Sequence, residues 1–539
     1  VTPSIGHIQR CRQLVPKVCG ADVELGNSYL SSHTAGETGY LASKLLLREI
    51  PGIFSNSESY DPQDRGRRFL ASNGGCIYID LDHLEICIPE VTDAFQYVAA
   101  FHAMLMLARQ AMAAANARCP AGERIQVLAN NSDGFCNSYG GHLNFLLSRA
   151  TWNDIFHRKP HYLAFLVAFQ VSSIVVTGQG KVGAENGADP VDYQLSQRAD
   201  FLETVTGLQT THNRPIVNSR DESLCTDGEL ARLHCIFYDT NLCHVANLLK
   251  CGGMQIVLAL LEAGRANPAL ILNDPLDAVR RYSHDPTLTA RARTASGRRL
   301  TAVELQLQFV EEARRFVDTQ YLDGVVPRAG EILDLYQNTL EKLQAGEFDT
   351  LAKRLDWVLK KALIEKGISD KACTGWASPG AKHLDHLYSS LDPGEGLYWL
   401  CEGGVEKVTD RAEIERFMCS PPDDTRAYTR AMLLRLAGAK FAAHVDWDSM
   451  TFRIPSRSGW YTTRRLDLPD PLSHTKQAHG ATFEHGRSLA EILDVLCGDE
   501  LTEPAETRLV ELHPENTSKL AATSSENGDD DHEISRTTG

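Results

Sequence analysis

The stretch Asn73-Gly74-Gly75-Cys76-Ile77-Tyr78-Ile79-Asp80 decides how this chain reads. Asn-Gly-Gly is turn chemistry, because glycine adopts a positive φ without steric cost. The residues that follow predict a strand. A two-residue period puts Cys76, Tyr78 and Asp80 on one face and Ile77 and Ile79 on the other. Asp80 then ends the strand, and Asp82, His83, Glu85 and Glu90 follow within ten residues. Such a set of carboxylates and an imidazole can bind Mg²⁺ through oxygen or work as acid, base or nucleophile. Solvated charges at a strand end read the same way.

Outward from this point, Leu84–Ile88, Gln126–Ala129, His142–Leu147, Asp192–Asp200, Pro215–Arg220 and Arg232–Tyr238 show strand alternation. Helical periodicity marks Val91–Arg118, Val245–Glu262, Ala302–Thr319 and Ala329–Glu365, the second weakened by Gly252-Gly253. The uncharged run His161–Gly180 reads as a buried helix followed by a strand at Ile174-Val175-Val176, too polar for a membrane span. Mixed strands and long helices predict an α+β fold with a largely antiparallel sheet.

At 539 residues the chain is long enough for several domains, or for one large and one small. We expect a short extension at 1–19, a catalytic domain at 20–405, a small C-terminal α+β domain at 406–498 and a disordered acidic tail at 499–539. The 54 Lys and Arg against 70 Asp and Glu give a net charge of −16, which argues against bulk nucleic-acid binding. The 14 cysteines include no C-x-x-C pair, and residues 1–20 lack the apolar core of a signal peptide. Reduced cysteines in a cytoplasmic protein, with no membrane partner, are the expectation.

The polar residues gather on strands. His142 shares a face with Asn144, while Leu143 and Phe145 face the other way. Arg198 and Asp200 share a face of one strand, Arg214 and Arg220 of a second, and Arg232 and His234 of a third. An arginine on a sheet face is costly unless it meets an anion, so Arg198 and Arg220 are candidates to hold phosphates through forked hydrogen bonds. An internal salt bridge would satisfy each equally well. Gly178-Gln179-Gly180-Lys181 is no Walker A loop, since no Gly-Lys-Ser/Thr closes it. A sheet whose polar face collects Asp, Glu, His and Arg suits Mg-nucleotide chemistry.

Five strings carry a resemblance: Asn73–Asp80, Asn130–Asn144, Leu195–Arg198, Arg214–Glu222 and Arg232–His234 through Asp239-Thr240-Asn241. In this order and spacing they resemble the Pup ligase/depupylase family (PafA and Dop), over roughly residues 20–460. Pup is the small prokaryotic ubiquitin-like protein that marks substrates for the bacterial proteasome. The resemblance implies a glutamine-synthetase-like fold: an antiparallel sheet forming a cradle for Mg-ATP, flanking helices, and a small C-terminal domain. It implies Asp80 as the catalytic aspartate and Glu24, Glu85, His142 and His234 as Mg²⁺ ligands or their neighbours. Asp22 stands where the family has Glu, and its shorter arm still suits a metal, directly or through water. Arg198 and Arg220 look like phosphate contacts of ATP or ADP, with Tyr78 beside Asp80.

The chain departs from the family in places. Gly20-Ala21-Asp22-Val23-Glu24-Leu25-Gly26 replaces Gly-x-Glu-x-Glu-Tyr/Phe-Gly, and Leu143, which cannot ligate Mg²⁺, replaces the Glu of His-Glu-Asn. His83-Leu84-Glu85 replaces His-Pro-Glu, and Arg-Asp-Glu-Pro-His loses its last two residues at Ser223-Leu224. Gly207–Thr211, Pro421–Tyr428 and Trp447–Ser449 look more like the depupylase branch. The implied function is therefore a Mg-ATP-dependent depupylase and deamidase, an isopeptidase acting on a Pup-like modifier and its lysine-conjugated substrates. The alternatives are a carboxylate–amine ligase that attaches the modifier, and a diverged non-catalytic paralogue.

Overall fold

The computed structural model describes residues 14–31, 38–54, 63–320, 322–455, 460–484 and 486–497. Most of the extension expected at 1–19 and all of the tail expected at 499–539 lie outside them.

An eight-stranded sheet organises the chain. Its strands are β1 (Cys19–Leu30), β2 (Ile53–Phe54), β3 (Arg65–Phe69), β4 (Cys76–Asp80), β5 (His83–Cys87), β6 (Arg124–Leu128), β7 (Gly141–Ser148) and, after two short ribbon strands and two longer ones, β12 (Leu230–Cys235). The order is β12-β7-β1-β5-β4-β3-β2, with β6 pairing the far half of β1. Every pairing in it is antiparallel, as expected. Between β7 and β12 lie β8 (Lys181–Val182), β9 (Tyr193–Gln194), β10 (Leu202–Gly207) and β11 (Arg214–Asn218). The fold is α+β, as the sequence predicts.

The central strand is the one that periodicity did not single out. In β1, Ala21, Val23 and Leu25 point into the core, while Asp22 and Glu24 alternate onto the other face. The same alternation recurs in β7, with Leu143 and Phe145 buried on the core side opposite His142 and Asn144. One face of the sheet is thus apolar and the other polar.

Helices cover the apolar face. They include α1 (Gly39–Glu49), α2 (Ala94–Asn116), α3 (Arg149–Asn153), α4 (Pro160–Thr177) and α5 (His244–Glu262). The apolar windows of α2, α4 and α5 are long enough to cross a membrane, but 67%, 78% and 100% of them are buried inside the fold. Asp93 caps α2 by accepting from Phe95 N (2.6 Å) and Gln96 N (3.2 Å). Helix α5 runs unbroken through Gly252-Gly253 because those glycines admit its neighbours. A Cβ at Gly252 would lie 2.8 Å from Ile332, and one at Gly253 would lie 2.9 Å from Tyr336.

Three expectations fail locally. Ile174–Val176 are not a strand but the last turns of α4, where Ser173 and Thr177 bond back to helix carbonyls and Trp357 Nε1 donates to Val175 O (2.9 Å). Packing overrides the β-branched preference there. Ala329–Glu365 is interrupted: a helix ends at Ala345, Gly346 takes φ +72°, and another begins at Asp356. Of Asp192–Asp200 only Tyr193–Gln194 form a strand, and Ala199–Phe201 close a 3₁₀ turn.

Toward the C-terminus, β15 (Ala442–Val445), β16 (Ser449–Pro455) and β17 (Tyr461–Asp467) form a separate antiparallel sheet, following a small β13–β14 ribbon (Ala292–Arg293 and Arg299–Leu300). Its core of Leu433, Met450, Phe452, Leu466 and Leu493 also takes in Phe69, Cys76 and Cys87 from the large sheet.

Candidate active site

The polar face of the large sheet floors a cleft of about 1340 Å³. That exceeds the roughly 300–1,000 Å³ of an ordinary small-ligand pocket. Every residue given a site role from the sequence lines it: Asp22, Glu24, Tyr78, Asp80, Glu85, His142, Arg198, Arg220 and His234.

Cross-strand register brings these residues together. Glu24 of β1 faces Glu85 of β5, and Tyr78 of β4 faces Glu85 from the other side. Ligand oxygens of Glu24, Asp80 and Glu85 lie within 4.8 Å of one another. Tyr78 donates its hydroxyl to Glu85 Oε1 at 2.7 Å, and Arg67 lies over the Tyr78 ring at 4.9 Å. Glu85 Oε2 is buried and has no hydrogen-bond partner among the described residues. Burial, reinforced by Asp22, Glu24 and Asp80, pushes the Glu85 carboxyl well above the usual range. Three crowded carboxyls with an orphaned oxygen fit a hard divalent cation, which would reverse that shift.

A second group sits two residues along β1. Asp22 faces His142 of β7, and His142 Nδ1 lies 3.0 Å from Asp22 Oδ2. Asn144 donates to Asp22 Oδ1, and its own Oδ1 meets Arg232 Nη1 and His234 Nδ1, each at 2.8 Å. Burial raises the Asp22 carboxyl, but His142, His234 and Arg232 more than offset it and hold it below the usual range. Burial pushes the His234 imidazole well below its ordinary value.

The third group is cationic. Arg198 is buried and donates to Tyr139 O. Arg214 donates to Ser138 O and, at 2.7 Å, to Thr210 O. These two guanidiniums face the same cavity and lean on backbone carbonyls rather than carboxylates. Burial, together with Arg214, lowers Arg198 to about 10, which leaves it charged at neutral pH. Arg198 Nε is buried without a hydrogen-bond partner among the described residues. The pair fits an anion such as a polyphosphate. Arg220 differs: its side chain is 39% exposed, with Glu222 at 3.8 Å.

The turn at Ala199–Phe201 corrects one expectation. Arg198 and Asp200 do not share a strand face. Arg198 turns to the cleft, whereas Asp200 turns away to Lys181 (3.1 Å) and His284 (2.7 Å). Glu90 and His83 do line the cleft, but each is engaged by a neighbour. Glu90 pairs with Arg426 and Arg430, and His83 stacks on Tyr139 at 4.3 Å. The Leu143 departure removes nothing from the cleft, because that side chain lies in the core. The site roles given from sequence omitted Arg214 and Asn144. Strand alternation puts both on polar faces, and that is the signal that finds them.

The Pup-ligase protein family matches residues 24–451. The chain is 35% identical over 465 residues to the depupylase of Acidothermus cellulolyticus, covering 84% of this chain and 89% of that protein. It is 34% identical to the Pup deamidase/depupylase of Mycolicibacterium smegmatis, with 79% and 83% covered. Against the Pup–protein ligase of Micrococcus luteus it is 32% identical, with 72% and 83% covered. Among solved structures, the ligase PafA in complex with Pup superposes with a TM-score of 0.74 at 24% identity, covering 95% of this chain and 99% of that one. PafA in complex with ADP gives 0.67 at 25% identity, covering 84% and 96%.

Proposed function

The chain belongs to the Pup-ligase protein family, and from that premise we propose that it is a Mg-ATP-dependent depupylase and deamidase of a Pup-like modifier. The observation that carries this reading over ligation is the higher identity to the depupylases, 34–35% against 32% for the ligase compared. The cleft supports the chemistry, since it offers a carboxylate trio, two unneutralised guanidiniums and room beyond a nucleotide.

Glu24 and Glu85 would hold Mg²⁺, and Arg198 with Arg214 would hold the phosphates of ATP or ADP. When bound, Mg²⁺ supplies positive charge for the phosphate oxygens and for the crowded carboxylates. Asp80 stands at the end of β4, close to both glutamates. Its carboxylate attacks the side-chain carbonyl of the modifier's terminal Gln or Glu, or orients the water that does. In the covalent route an acyl–aspartate bond forms and the C–N bond breaks. Lysine, or ammonia in deamidation, leaves with a proton taken from solvent, which the hydrolysis that follows returns. Water then cleaves the acyl–aspartate, regenerating Asp80 and a free glutamate.

The test is a gel assay on the full chain with Mg-ATP. One tube holds a Pup-conjugated protein, and the other holds glutamate-ended Pup with the unmodified protein. Release of Pup in the first tube is the expected result. A new conjugate in the second, without release in the first, would make the protein a ligase. Silence in both would favour the non-catalytic paralogue.

A further inference from the structure

Gly178-Gln179-Gly180-Lys181 is not a Walker A loop, yet its lysine bears on the cationic end of the cleft from behind. Lys181 and Glu185 are buried, and neither is among the described residues that line the cleft. Lys181 Nζ lies 3.0 Å from Glu185 Oε2 and 3.1 Å from Asp200 Oδ2. A buried ion pair returns little net stability, and its best-attested use is to fix a geometry. Here both Glu185 oxygens reach one loop. Oε1 accepts from Cys136 N at 3.1 Å, and Oε2 accepts from Ser132 Oγ. The loop closes on itself around these two pins. Ser132 bridges Ser138, and Asp133 Oδ1 accepts from Phe135 N (2.7 Å) and Asn137 N (3.1 Å).

Held in this way, the loop presents Ser138 O to Arg214. Arg214 also stands over the Phe201 ring at 5.8 Å, and Lys181 Nζ stands 5.1 Å from the same ring. The Lys181–Glu185 pair therefore lies behind two supports of Arg214, while a third, Thr210 O, is independent of it. Arg198 is held differently. Its acceptor, Tyr139 O, is fixed by Asn131 Nδ2 at 3.1 Å, and its contact with Ser138 Oγ is long, at 3.4 Å.

We propose that Glu185, backed by Lys181, is a positioning residue for anion binding: it aims Arg214 into the cleft by pinning the loop 132–138, and acts on the phosphates only through that arginine. This inference rests on the preceding reading only in giving Arg214 a polyphosphate to hold. The carboxylate is needed as such. A glutamine has one acceptor oxygen, so its NH₂ would face either the Cys136 N–H or the Lys181 ammonium, donor against donor. One pin would then be released. Lys181 would keep Asp200 as its counter-ion, so the fold should survive the change.

The experiment is a double-mutant cycle on the full chain, read by calorimetric titration with Mg-ATP. Glu185→Gln should weaken ATP binding by about 5- to 20-fold. Added to Arg214→Ala, the same substitution should change the affinity by less than about twofold, because the group it positions is gone. A residue that only stabilised the fold would lower the melting temperature and leave ATP affinity as it was. Circular dichroism matching the parent protein will confirm that each variant folds. Should Glu185→Gln fail to fold, Ser132→Ala carries the test. It removes one pin and no charge, and should weaken ATP binding by about 2- to 5-fold. Unchanged affinity in the folded variant, or losses that add in full to that of Arg214→Ala, would overturn the proposal. ATP binding that shows this coupling without any Pup release would support it and defeat the depupylase reading alone.

Discussion

Arg198 and Arg214 donate to the carbonyl oxygens of Tyr139, Ser138 and Thr210, and that leaves their positive charge facing the cavity. With the proposed phosphate role, Arg198→Ala should weaken ATP binding by at least about 1.5 kcal/mol, the loss of one charge-assisted contact. Arg214→Ala should cost a similar amount. Arg220→Ala should cost less than about 1 kcal/mol, because that side chain is substantially exposed and already near Glu222. Calorimetric titration with ATP would rank them, and equal losses at all three would reject the distinction drawn between Arg214 and Arg220. On the proposed mechanism Asp80→Asn should abolish Pup release while leaving ATP affinity within about tenfold, because the role proposed for it is chemical. Full turnover in that variant would remove Asp80 from the mechanism. Alternation along single strands was enough to face His142 with Asn144 and Tyr78 with Asp80. Which residues meet across strands was not legible, because register is set by pairing and not by any one strand. Asn144 shows this well: its partners come from β1 and β12, 122 and 90 residues away.

Strand β7 shows what the pleat does to a motif. Read as a string, Leu143 looks like a lost ligand between His142 and Asn144. In the sheet it faces away from them, paired with Ala21 and Cys235 and buried in the apolar core. Leu143→Glu should therefore not add a metal ligand. It should destabilise the fold by about 3 kcal/mol or more, since it buries a carboxylate without a partner. Urea denaturation would measure the loss, and an undiminished midpoint with a gain in metal stoichiometry would contradict this placement. Helix α5 gives the opposite lesson. The sequence marks Gly252-Gly253 as a weakness, and helix propensity alone says that Gly252→Ala gains about 1 kcal/mol. The Ile332 side chain occupies that space, so the substitution should instead cost about 1–3 kcal/mol through overpacking. Helix ends were less legible than helix faces. Ile174–Val176 are β-branched yet stay in α4, because the surrounding packing and not local preference holds them.

At the scale of the whole molecule, one carboxylate ties the large sheet to the C-terminal unit. Glu90 follows β5 and accepts from Arg426 at 2.8 Å and from Arg430. Arg426 also donates to Leu468 O and Leu224 O, each at 2.9 Å, and Arg430 to Gly74 O (3.0 Å) and Trp447 O (3.1 Å). No local pattern points to the partners of Glu90, since these contacts span more than 330 residues. Arg426 and Trp447 also wall the cleft, so the same clasp shapes the site. Burial alone would raise the Glu90 carboxyl, but the two guanidiniums overcome it and lower it to about 2. Its value when unfolded is near 4.5, the ordinary glutamate value. The clasp's stabilisation is then fully present above pH 4.5 and is lost as pH falls toward 2. A shift of that size corresponds to about 3 kcal/mol. Glu90→Gln removes the charge, leaves two buried guanidiniums unbalanced, and should cost about 3–5 kcal/mol at pH 7. The decisive comparison is the pH dependence of unfolding. The parent protein should lose stability more steeply than Glu90→Gln between pH 4.5 and 2, and parallel curves would show that Glu90 is not the group whose protonation opens the clasp.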